Sequence, residues 1–502
     1  MASPSSPSHG RPVLLPCIGG ERVAGTPAQA ALIPNHNPAT GAVHSFLRAA
    51  TKDDVDAAVR AARRALPAWS SAPLRQRTAL LDRVADAIEA RLDVFALAET
   101  RDQGKPVALS RSMDIPRAID NLRFFAAAAR TASDGCFAGE SAAGGSFTTL
   151  TRREPVGVCA LITPWNLPLY LLTWKLAPAL VMGNTVVCKP SELTSTTASL
   201  LADVLHDCGC PPGVVNMLFG YGAETGQALL DHPDVDLLSF TGGTSTGQRV
   251  ALAAAQGQKK VSLELGGKNA SIVLADADIS KAARVCARAG FLNQGQICLA
   301  GSRILVHESR YAAFLEKLCA EVASLRVGHP EDPATTLGPV VSAAHRDKVE
   351  EAVRAALASG ARRLDLPGHS ALRPELDHAL REGYFLNPSV LVDVDPNMPI
   401  EQDETFGPVV TVSSFGDEAA AIGRANGVRY GLSAAIFTRD TATALRVSQA
   451  LQCGTVWVNT WMSRDLRVPF GGIKASGTGR EGGRWSLDFY SETKSIVLDH
   501  AP

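Results

Sequence analysis

The chain has 502 residues, which is enough for two or three domains with a sizeable apolar core. Its 49 lysines and arginines nearly balance its 50 aspartates and glutamates, and this formal net charge of −1 argues against a nucleic-acid-binding protein, which needs a basic surface. The hydrophobic fraction of 46% and charged fraction of 20% exclude wholesale disorder, and no run of about 18 apolar residues predicts a membrane span. We therefore expect a soluble protein without nucleic-acid or membrane partners.

The ten cysteines are scattered along the chain, and none forms a Cys-x-x-Cys pair. In a chain of this length that pattern is typical of reduced thiols, so we expect a cytoplasmic protein. Cys208 and Cys210 are separated by one residue, which is a poor spacing for zinc, and we expect no metal site. Residues 1–12 have neither the apolar core nor the basic flank of a targeting signal, and they predict a disordered tail.

Two helical segments follow the tail. Thr51 and Asp54 form a capping-box pair at the start of the first, over residues 51–67, where apolar residues then mark one helical face. A second helix is predicted to begin near Pro73 and to end at Gly104.

From about residue 150 to 325, apolar β-rich runs alternate with stretches of helical spacing. This alternation is the pattern of βαβ units, and it predicts an α/β fold with parallel sheets. It is too long for one sheet, so we interpret KKVSLELGGKN as a crossing between two α/β domains. The runs are VGVCALI, NTVVCK, VVNMLFG, VDLLSF, SIVLAD and SRILVHE, followed later by GPVVTVSSF, LSAAIFT and GTVWVN. A final strand is predicted in DFYSETKSIVLDH, and such a terminal strand often pairs with another subunit.

Two glycine-rich loops follow predicted strands: GYGAETG, from Gly220 to Gly226, and FTGGTSTG, from Phe240 to Gly247. Backbone N–H groups and the helix dipole at a strand-to-helix junction favour a phosphate, so the two loops together indicate a nucleotide site. Neither loop has the usual G-x-G-x-x-G pattern, and each has a simple tight turn as its alternative.

The second loop also fits the pattern of a serine-hydrolase nucleophile. Gly243 to Gly247 reads G-x-S-x-G between a strand and a helix, so a hydrolase that uses Ser245 is an alternative of another class. No HGGG-type oxyanion segment precedes this motif, and no downstream histidine lies in an evident catalytic loop, which disfavours that alternative.

Three residues have the chemistry of a catalytic site. Cys298 lies between a helical run and a strand, where a thiol can have a lowered pKa and act as a nucleophile, or can be a small buried hydrophobe. Glu264 is a carboxylate in an apolar strand, where it must be paired, protonated or catalytic. Asn166 can donate its side-chain amide to an oxyanion, or can cap a helix.

With these residues in view, the chain resembles the NAD(P)-dependent aldehyde dehydrogenases from about residue 30 onwards. Seven motifs carry the resemblance: TPWN at 163–166, KPSE at 189–192, FTGGTSTG at 240–247, LELGGK at 263–268, GQIC at 295–298, ETFGPV at 404–409 and PFGGIKASGTGRE at 469–481. The resemblance implies two parallel-sheet α/β domains, a Rossmann-type cofactor domain and a catalytic domain, with a small β oligomerisation element. The implied boundaries are 13–134 with 154–266 for the NAD-binding domain, 267–476 for the catalytic domain, and 135–153 with 477–502 for the bridging element of a homodimer or homotetramer.

The resemblance also implies one role for each catalytic candidate. Cys298 attacks the aldehyde carbonyl, and the side-chain amide of Asn166 and the N–H of Cys298 hold the oxyanion. After hydride loss leaves a thioester, Glu264 activates the water that hydrolyses it.

The implied cofactor is NAD. Lys189 and Glu192 match contacts to the adenosine ribose, and a carboxylate there repels a 2′-phosphate, which favours NAD over NADP. Glu404 matches the position that holds the nicotinamide ribose. Gly243 departs from the family pattern, in which a serine touches the pyrophosphate. The implied cofactor-binding residues are Thr163, Pro164, Trp165, Lys189, Ser191, Glu192, Gly222, Gly226, Phe240, Thr241, Gly242, Gly243, Leu265, Glu404 and Phe406.

Within the family, the finer resemblance is to the 2-aminomuconate and 2-hydroxymuconate semialdehyde dehydrogenases. It lies in RDQGKPVALSRSMDIPRAIDNLRFF, TPWNLPLYLLTWK and NTWMSRDLRVPFGG. It implies that Arg117, Asn166 and Arg464 bind an acidic semialdehyde, with the amino and hydroxy substrates both left open. The alternatives are arginines that are solvated or paired with nearby aspartates, and a general or betaine aldehyde dehydrogenase.

Overall fold

The computed structural model describes residues 10–25, 31–140 and 145–500. Most of the predicted tail lies outside the described residues. In chain order the strands are β1 (Val13–Leu14), β2 (Cys17–Ile18), β3 (Glu21–Arg22), β4 (Leu32–His36), β5 (Val43–Arg48), β6 (Cys136–Glu140), β7 (Ser146–Pro155), β8 (Val158–Ile162), β9 (Thr185–Lys189), β10 (Val215–Met217), β11 (Leu237–Thr241), β12 (Lys260–Glu264), β13 (Ala270–Val273), β14 (Arg303–His307), β15 (Arg362–Arg363), β16 (Ser389–Val392), β17 (Val409–Phe415), β18 (Tyr430–Gly431), β19 (Ser433–Phe437), β20 (Thr455–Val458), β21 (Ile473–Lys474), β22 (Gly477–Thr478) and β23 (Ser491–Asp499).

The α-helices connect these strands. They are α1 (Lys52–Ser71), α2 (Leu74–Glu89), α3 (Leu92–Gln103), α4 (Val107–Leu109), α5 (Ile115–Arg130), α6 (Pro168–Val181), α7 (Thr196–Asp207), α8 (Gln227–Asp231), α9 (Thr244–Gln256), α10 (Ile279–Phe291), α11 (Tyr311–Ala323), α12 (Ala343–Ala358), α13 (Pro399–Gln402), α14 (Glu418–Asn426), α15 (Thr441–Ala450) and α16 (Gly483–Phe489). Every strand predicted from the apolar runs is present. No helix within the described residues has the length and apolar character needed to span a membrane.

An eight-stranded sheet occupies much of the first half, in the order β22-β12-β11-β8-β9-β10-β2-β3. The five strands from β12 to β10 are parallel. Apolar residues of α2, α5, α6 and α7 cover one face, and residues of α1, α8 and α9 cover the other. The strand order reverses beside β8, since β9 and β10 lie on one side of it and β11 and β12 on the other. In such sheets, ligands bind at the carboxyl ends of the strands next to the reversal.

A seven-stranded sheet occupies the second half, in the order β15-β16-β17-β14-β13-β19-β20, and its strands are parallel except for the edge pair β15 and β16. Helices α10 and α11 cover one face, and α14 and α15 cover the other. The predicted pair of parallel-sheet α/β units is therefore present.

A separate antiparallel sheet, β23-β7-β6, joins the predicted final strand to residues 136–140 and 146–155. Several of its apolar side chains are exposed, namely Phe137, Leu150, Ile496, Val497 and Leu498. Two elements that precede β23 in the chain belong elsewhere: β22 pairs with β12 of the eight-stranded sheet, and α16 packs on α5 and α6. The domain boundaries given above stay predictions.

The predicted first helix is confirmed, with Thr51 and Asp54 in a reciprocal capping box. The predicted second helix is wrong in one respect, because the chain forms two helices there, α2 and α3. Arg91 leaves the helical conformation between them, at φ −116° and ψ 24°. Because Leu80 to Ile88 and Phe95 pack into the same core, each helix shows a similar apolar pattern, and the pattern alone does not reveal the bend. As predicted, the second of them stops at Gly104, whose φ is +91°.

Candidate active site

Ten of the predicted site residues line one cavity where three neighbouring parallel strands end. Pro164 to Asn166 follow β8, Thr241 to Gly243 lie at the end of β11, and Leu265 follows β12. These residues line a cavity of ≈ 260 Å³ together with residues from the second half of the chain. The latter are Cys298, His345, Lys348, Glu404 and Phe406. The cavity therefore lies between the two α/β units, at the point where the strand order reverses.

Cys298 reaches this cavity through a tightly packed loop. Asn293 and Gln294 adopt left-handed conformations, with φ of 52° and 57°. Gly295 follows with a φ of +70°, and a Cβ there would lie 2.1 Å from the carbonyl oxygen of Gly407, so no larger residue fits. The carbonyl of Cys298 accepts a hydrogen bond from the Asn269 amide at 2.8 Å. The loop is thus held at several points, which fixes the direction of the thiol.

The surroundings of Cys298 disfavour its thiolate. Burial and, to a smaller extent, the negative charges of Glu404 and Glu264 raise the pKa of the Cys298 thiol to about 12, although the charge of Arg464 lowers it. The lowered pKa that the sequence analysis associated with such a junction is therefore not found. The reason is that burial disfavours the charged thiolate and that nearby carboxylates add to this effect.

Asn166 is buried beside Cys298. One N–H of its side-chain amide donates to the carbonyl of Gln296 at 2.9 Å, and the amide has a second N–H for the cavity. Leu167, not Asn166, is the N-cap of α6, so the helix-capping alternative does not hold. Because Gln296 belongs to the same GQIC loop as Cys298, this hydrogen bond fixes the position of Asn166 relative to Cys298.

A buried charged cluster that the sequence analysis missed supports Asn166. The ammonium of Lys105, which has no exposed surface, donates to the carbonyl of Asn166 and to Glu99, both at 3.0 Å, and also pairs with Asp114. Burial raises the pKa of Asp114 to about 7, an effect that the charge of Lys105 opposes. The signal was Lys105 and Asp114 within the segment that carried the finer resemblance, with Glu99 two residues before that segment.

Glu264 stands at the end of β12, nearly inaccessible to water. Its Oε1 has no hydrogen-bond partner among the described residues, and a Cβ on Gly471 would lie 2.8 Å from it. Burial raises the pKa of Glu264 well above its ordinary value, and the neighbouring carboxylate of Glu481 raises it further. A buried, unpartnered carboxyl group of this kind is typical of a functional site.

Lys175 and Glu481 form a second buried pair, which the sequence analysis also missed. The Lys175 ammonium donates to Glu481 at 2.7 Å and to the Ser239 hydroxyl at 3.0 Å. Both charges act on Glu264, Glu481 to raise and Lys175 to lower its pKa. The two residues are about three hundred positions apart in the chain, so no local sequence pattern predicts that they pair.

The residues implied to hold the adenosine end lie after β9. The Lys189 ammonium is buried, 3.5 Å from Glu192 and 3.2 Å from the carbonyl oxygen of Pro190, and burial lowers its pKa. A Cβ placed on Gly226 would lie 3.6 Å from the Lys189 side chain, and Gly222 to Gly226 form one helical turn. The hydroxyl of Ser191 accepts the N–H of Leu193 and shapes the loop.

The loop after β11 presents a helix N-terminus to the cavity. Gly243 is the exposed N-cap of α9, and no atom lies within 4 Å of a Cβ placed on it, so the space of the serine found elsewhere in the family is open. The buried hydroxyls of Thr163 and Thr241 have no partner among the described residues. Phe240 is different, because its ring packs under Gly242, away from the cavity lining. Free backbone and hydroxyl donors here fit a phosphate group.

Aromatic rings line the other end of the cavity. Trp165 packs edge-on against Phe406, with ring centroids 5.3 Å apart, and against His345 at 5.2 Å. Burial lowers the pKa of His345 to about 4, so the ring is neutral and its Nε2–H donates to the Phe406 carbonyl at 2.7 Å. Glu404 accepts the N–H of Gly267 at 3.0 Å, and burial raises its pKa to about 7. His345 had given no signal in the sequence.

The structure brings Arg117 and Arg464 together around one side chain. Arg464 Nη1 donates to the Tyr170 hydroxyl at 3.0 Å, and the Arg117 guanidinium lies 5.8 Å from the centroid of the Tyr170 ring. Neither arginine has a carboxylate within ion-pair distance among residues 10–25, 31–140 and 145–500. The nearby aspartates have other partners, since Asp114 pairs with Lys105 and Asp465 with Arg467.

Ser245 gains no support as a hydrolase nucleophile. It is exposed in the first turn of α9, and no histidine in the described part of the chain lies within hydrogen-bond distance of its hydroxyl. The geometry of a base-activated serine is therefore not present.

Comparison with known proteins agrees with this arrangement. The model of the aldehyde dehydrogenase family matches residues 26–496. The 2-aminomuconic semialdehyde dehydrogenase of Homo sapiens is 44% identical over 476 residues, which cover 93% of this chain and 95% of the relative. The 2-hydroxymuconic semialdehyde dehydrogenase of Pseudomonas sp. (strain CF600) is 43% identical over 464 residues, covering 92% and 95%. A crystal structure of betaine aldehyde dehydrogenase from Staphylococcus aureus in complex with NAD+ aligns with a TM-score of 0.92 at 36% identity, covering 96% of this chain and 94% of that one. The resemblance and the fold class are confirmed, and the chain belongs to the aldehyde dehydrogenase family.

Proposed function

We propose that this protein is an NAD-dependent dehydrogenase that oxidises an acidic semialdehyde, 2-aminomuconate or 2-hydroxymuconate 6-semialdehyde, to the dicarboxylate. The observation that carries the substrate assignment is the pair of arginines, Arg117 and Arg464, that share Tyr170 and have no carboxylate partner among the described residues. The relatives named for muconic semialdehydes support it independently.

The first step is addition of the Cys298 sulfur to the aldehyde carbonyl. An aldehyde is a poor hydride donor until it becomes tetrahedral, and the thiohemiacetal provides that geometry. As the C–S bond forms, the carbonyl oxygen gains negative charge, which the second N–H of the Asn166 amide and the backbone N–H of Cys298 stabilise. Since the raised pKa keeps the thiol protonated at neutral pH, it releases its proton to solvent as the C–S bond forms, and the sulfur regains a proton after hydrolysis.

The residues around the cavity fit a dinucleotide. Glu404 accepts hydrogen bonds at the aromatic end, the α9 N-terminus offers donors in the middle, and Lys189 and Glu192 lie at the other end. When bound there, NAD supplies the hydride acceptor for the thiohemiacetal carbon.

Loss of hydride leaves a thioester on Cys298, which water must hydrolyse. Glu264 takes a proton from that water as the new C–O bond forms, and the C–S bond then breaks and returns the sulfur. Overall, the aldehyde, NAD+ and water give the carboxylate, NADH and two protons.

Glu192 makes the choice between NAD and NADP testable. Its half-buried carboxylate lies beside Lys189, and a 2′-phosphate at the same ribose would face a like charge. We expect Glu192→Ser to narrow the preference for NAD by about tenfold, the order expected when one like-charge contact is removed. The measurement is kcat/KM for each cofactor at fixed aldehyde. The exposed Glu316 of α11 provides a control, Glu316→Ser, and equal use of NADP by the unmodified protein would contradict the assignment.

The substrate proposal is tested by replacing each arginine. A guanidinium–carboxylate hydrogen bond contributes about 1.5–3 kcal/mol, so Arg117→Ala or Arg464→Ala should lower kcat/KM for the acidic semialdehyde by about 10–100-fold. In the same variants, kcat/KM for a neutral aldehyde of similar length should change little. Lysine at either position should restore only part of the activity, since it keeps the charge without the planar fork.

A surface arginine serves as a matched control. Arg123 lies on the same helix as Arg117 and pairs with Asp86 and Glu89. Arg123→Ala should leave kcat/KM for both substrates unaffected. Equal losses on acidic and neutral aldehydes in the Arg117 and Arg464 variants would show that these arginines hold structure, and the muconic assignment would fail.

A betaine or general aldehyde dehydrogenase is the alternative within the family. Two arginines that have no carboxylate within ion-pair distance among the described residues repel a cationic aldehyde, which disfavours the betaine substrate. The exposed apolar side chains of the β23-β7-β6 sheet support the predicted homodimer or homotetramer, because a monomer would leave them in water.

A further inference from the structure

We infer that Tyr170 positions both substrate arginines and that its hydroxyl group sets the selectivity for an acidic over a neutral aldehyde. This inference rests on the function proposed above. Tyr170 is buried, with 4% of its surface exposed, and lies on α6 one turn after Asn166. Tyr170, Arg117 and Arg464 all lie outside the lining of the Cys298 cavity. Tyr170 contacts both arginines, so it acts through them.

The backbone of Tyr170 is held by the neighbouring helix. The side-chain amide of Asn121, on α5, donates to the Tyr170 carbonyl at 3.0 Å and to the Thr173 hydroxyl at 3.1 Å. Arg117 precedes Asn121 by one helical turn, so both project from the same face of α5 towards α6. The ring of Tyr170 is therefore fixed with respect to Arg117, which lies 5.8 Å from its centroid.

Arg464 has an unusual set of neighbours for a half-buried arginine. Its guanidinium lies 3.9 Å from the ring centroid of Phe470 and 5.3 Å from that of Trp174. The Tyr170 hydroxyl is its side-chain hydrogen-bond acceptor among the described residues. A guanidinium has five N–H donors, so one bond to Tyr170 leaves several for a ligand. The aromatic rings orient the group without satisfying its donors.

The choice of a tyrosine as partner has a physical consequence. A carboxylate at the same position would also orient Arg464, but it would neutralise the charge and compete with the carboxylate of the substrate. A neutral hydroxyl group orients the guanidinium and leaves the positive charge available. Tyr170 thus combines positioning with an uncompensated charge.

Arg464 is also close to the reacting groups. Phe470, under its guanidinium, belongs to the apolar cluster against which Cys298 packs. The charge of Arg464 acts on both Cys298 and Glu264, whose pKa values it lowers in opposition to burial. A substrate carboxylate that Arg464 binds therefore lies close to the Cys298 thiol, so a small semialdehyde can contact both groups.

The test is the Tyr170→Phe variant, which removes the hydroxyl and keeps the ring. We expect kcat/KM for muconic semialdehyde to fall by about 5–30-fold, mainly through KM, while kcat/KM for a neutral aldehyde of equal length changes by less than about threefold. Tyr430→Phe is the matched control, because Tyr430 also accepts from an arginine, Arg429, at 3.0 Å and stacks against it, but outside this cavity. It should leave the ratio of the two substrates unchanged.

A double-mutant cycle separates positioning from a general structural role. If Tyr170 acts through Arg464, Tyr170→Phe combined with Arg464→Ala should lose no more acidic activity than Arg464→Ala alone. Additive losses, or a loss that is equal on both aldehydes, would overturn the inference. A selective loss in Arg464→Ala without one in Tyr170→Phe would overturn it while leaving the proposed function intact. If Arg464→Ala itself showed no selectivity, the proposed function would fall as well.

Discussion

Cys298→Ala is expected to abolish NADH formation with every aldehyde while leaving the binding of NAD intact. The thiohemiacetal and the thioester both require the sulfur, and no other thiol lines the cavity in the described part of the chain. The groups that fit the dinucleotide, such as Glu404 and Lys189, do not depend on the Cys298 side chain for their contacts. The measurements are NADH absorbance at saturating aldehyde and titration calorimetry with NAD.

Two other cysteines provide the control for this variant. Cys286 lies on α10 and is buried in the core, and Cys319 is half-buried on α11, so alanine at either should preserve most of the activity of the folded protein. Normal turnover by the Cys298 variant would contradict the assignment of the nucleophile. Loss of an esterase activity through Ser245→Ala alone would restore the hydrolase alternative.

Glu264→Gln is expected to slow thioester hydrolysis more than thioester formation. General-base catalysis typically contributes about 10²–10⁴-fold, and the amide cannot take the proton of the attacking water. The expected signature in rapid mixing is a burst of about one NADH per active site, followed by a slow steady state. Mass spectrometry of the quenched enzyme should then show an acyl group on Cys298.

The pH dependence gives this prediction a second readout. Because burial raises the pKa of Glu264 well above its ordinary value, the carboxyl group is neutral at low pH and becomes a base as the pH rises. Hydrolysis of the acyl-enzyme should therefore accelerate with pH in the unmodified protein and lose that dependence in Glu264→Gln. A uniformly slowed reaction, without a burst or a trapped acyl-enzyme, would mean that Glu264 acts earlier or holds structure.

Much of the fold could be predicted from local pattern. Strands buried on both faces of a parallel sheet appear as continuous apolar runs, and each run recognised in the sequence forms a strand. The capping box at Thr51 and the stop at Gly104 also depend on residues close in the chain. The bend between α2 and α3 could not be predicted, because both helices pack against the same core and their apolar patterns run on without a break.

The sequence by itself determined the family and the α/β architecture, and it predicted Cys298, Glu264 and Asn166 as a catalytic set, since these follow from motifs that are each continuous in the chain. Only the tertiary structure decided how the charges are paired. Lys175 meets Glu481 across about three hundred residues, and Arg464 meets Tyr170 over a similar span. Likewise, the pKa of Cys298 rises because of burial and of carboxylates that the fold brings near it. Electrostatic energy depends on the distance between charges and on their exposure to water, and a local sequence pattern predicts neither quantity.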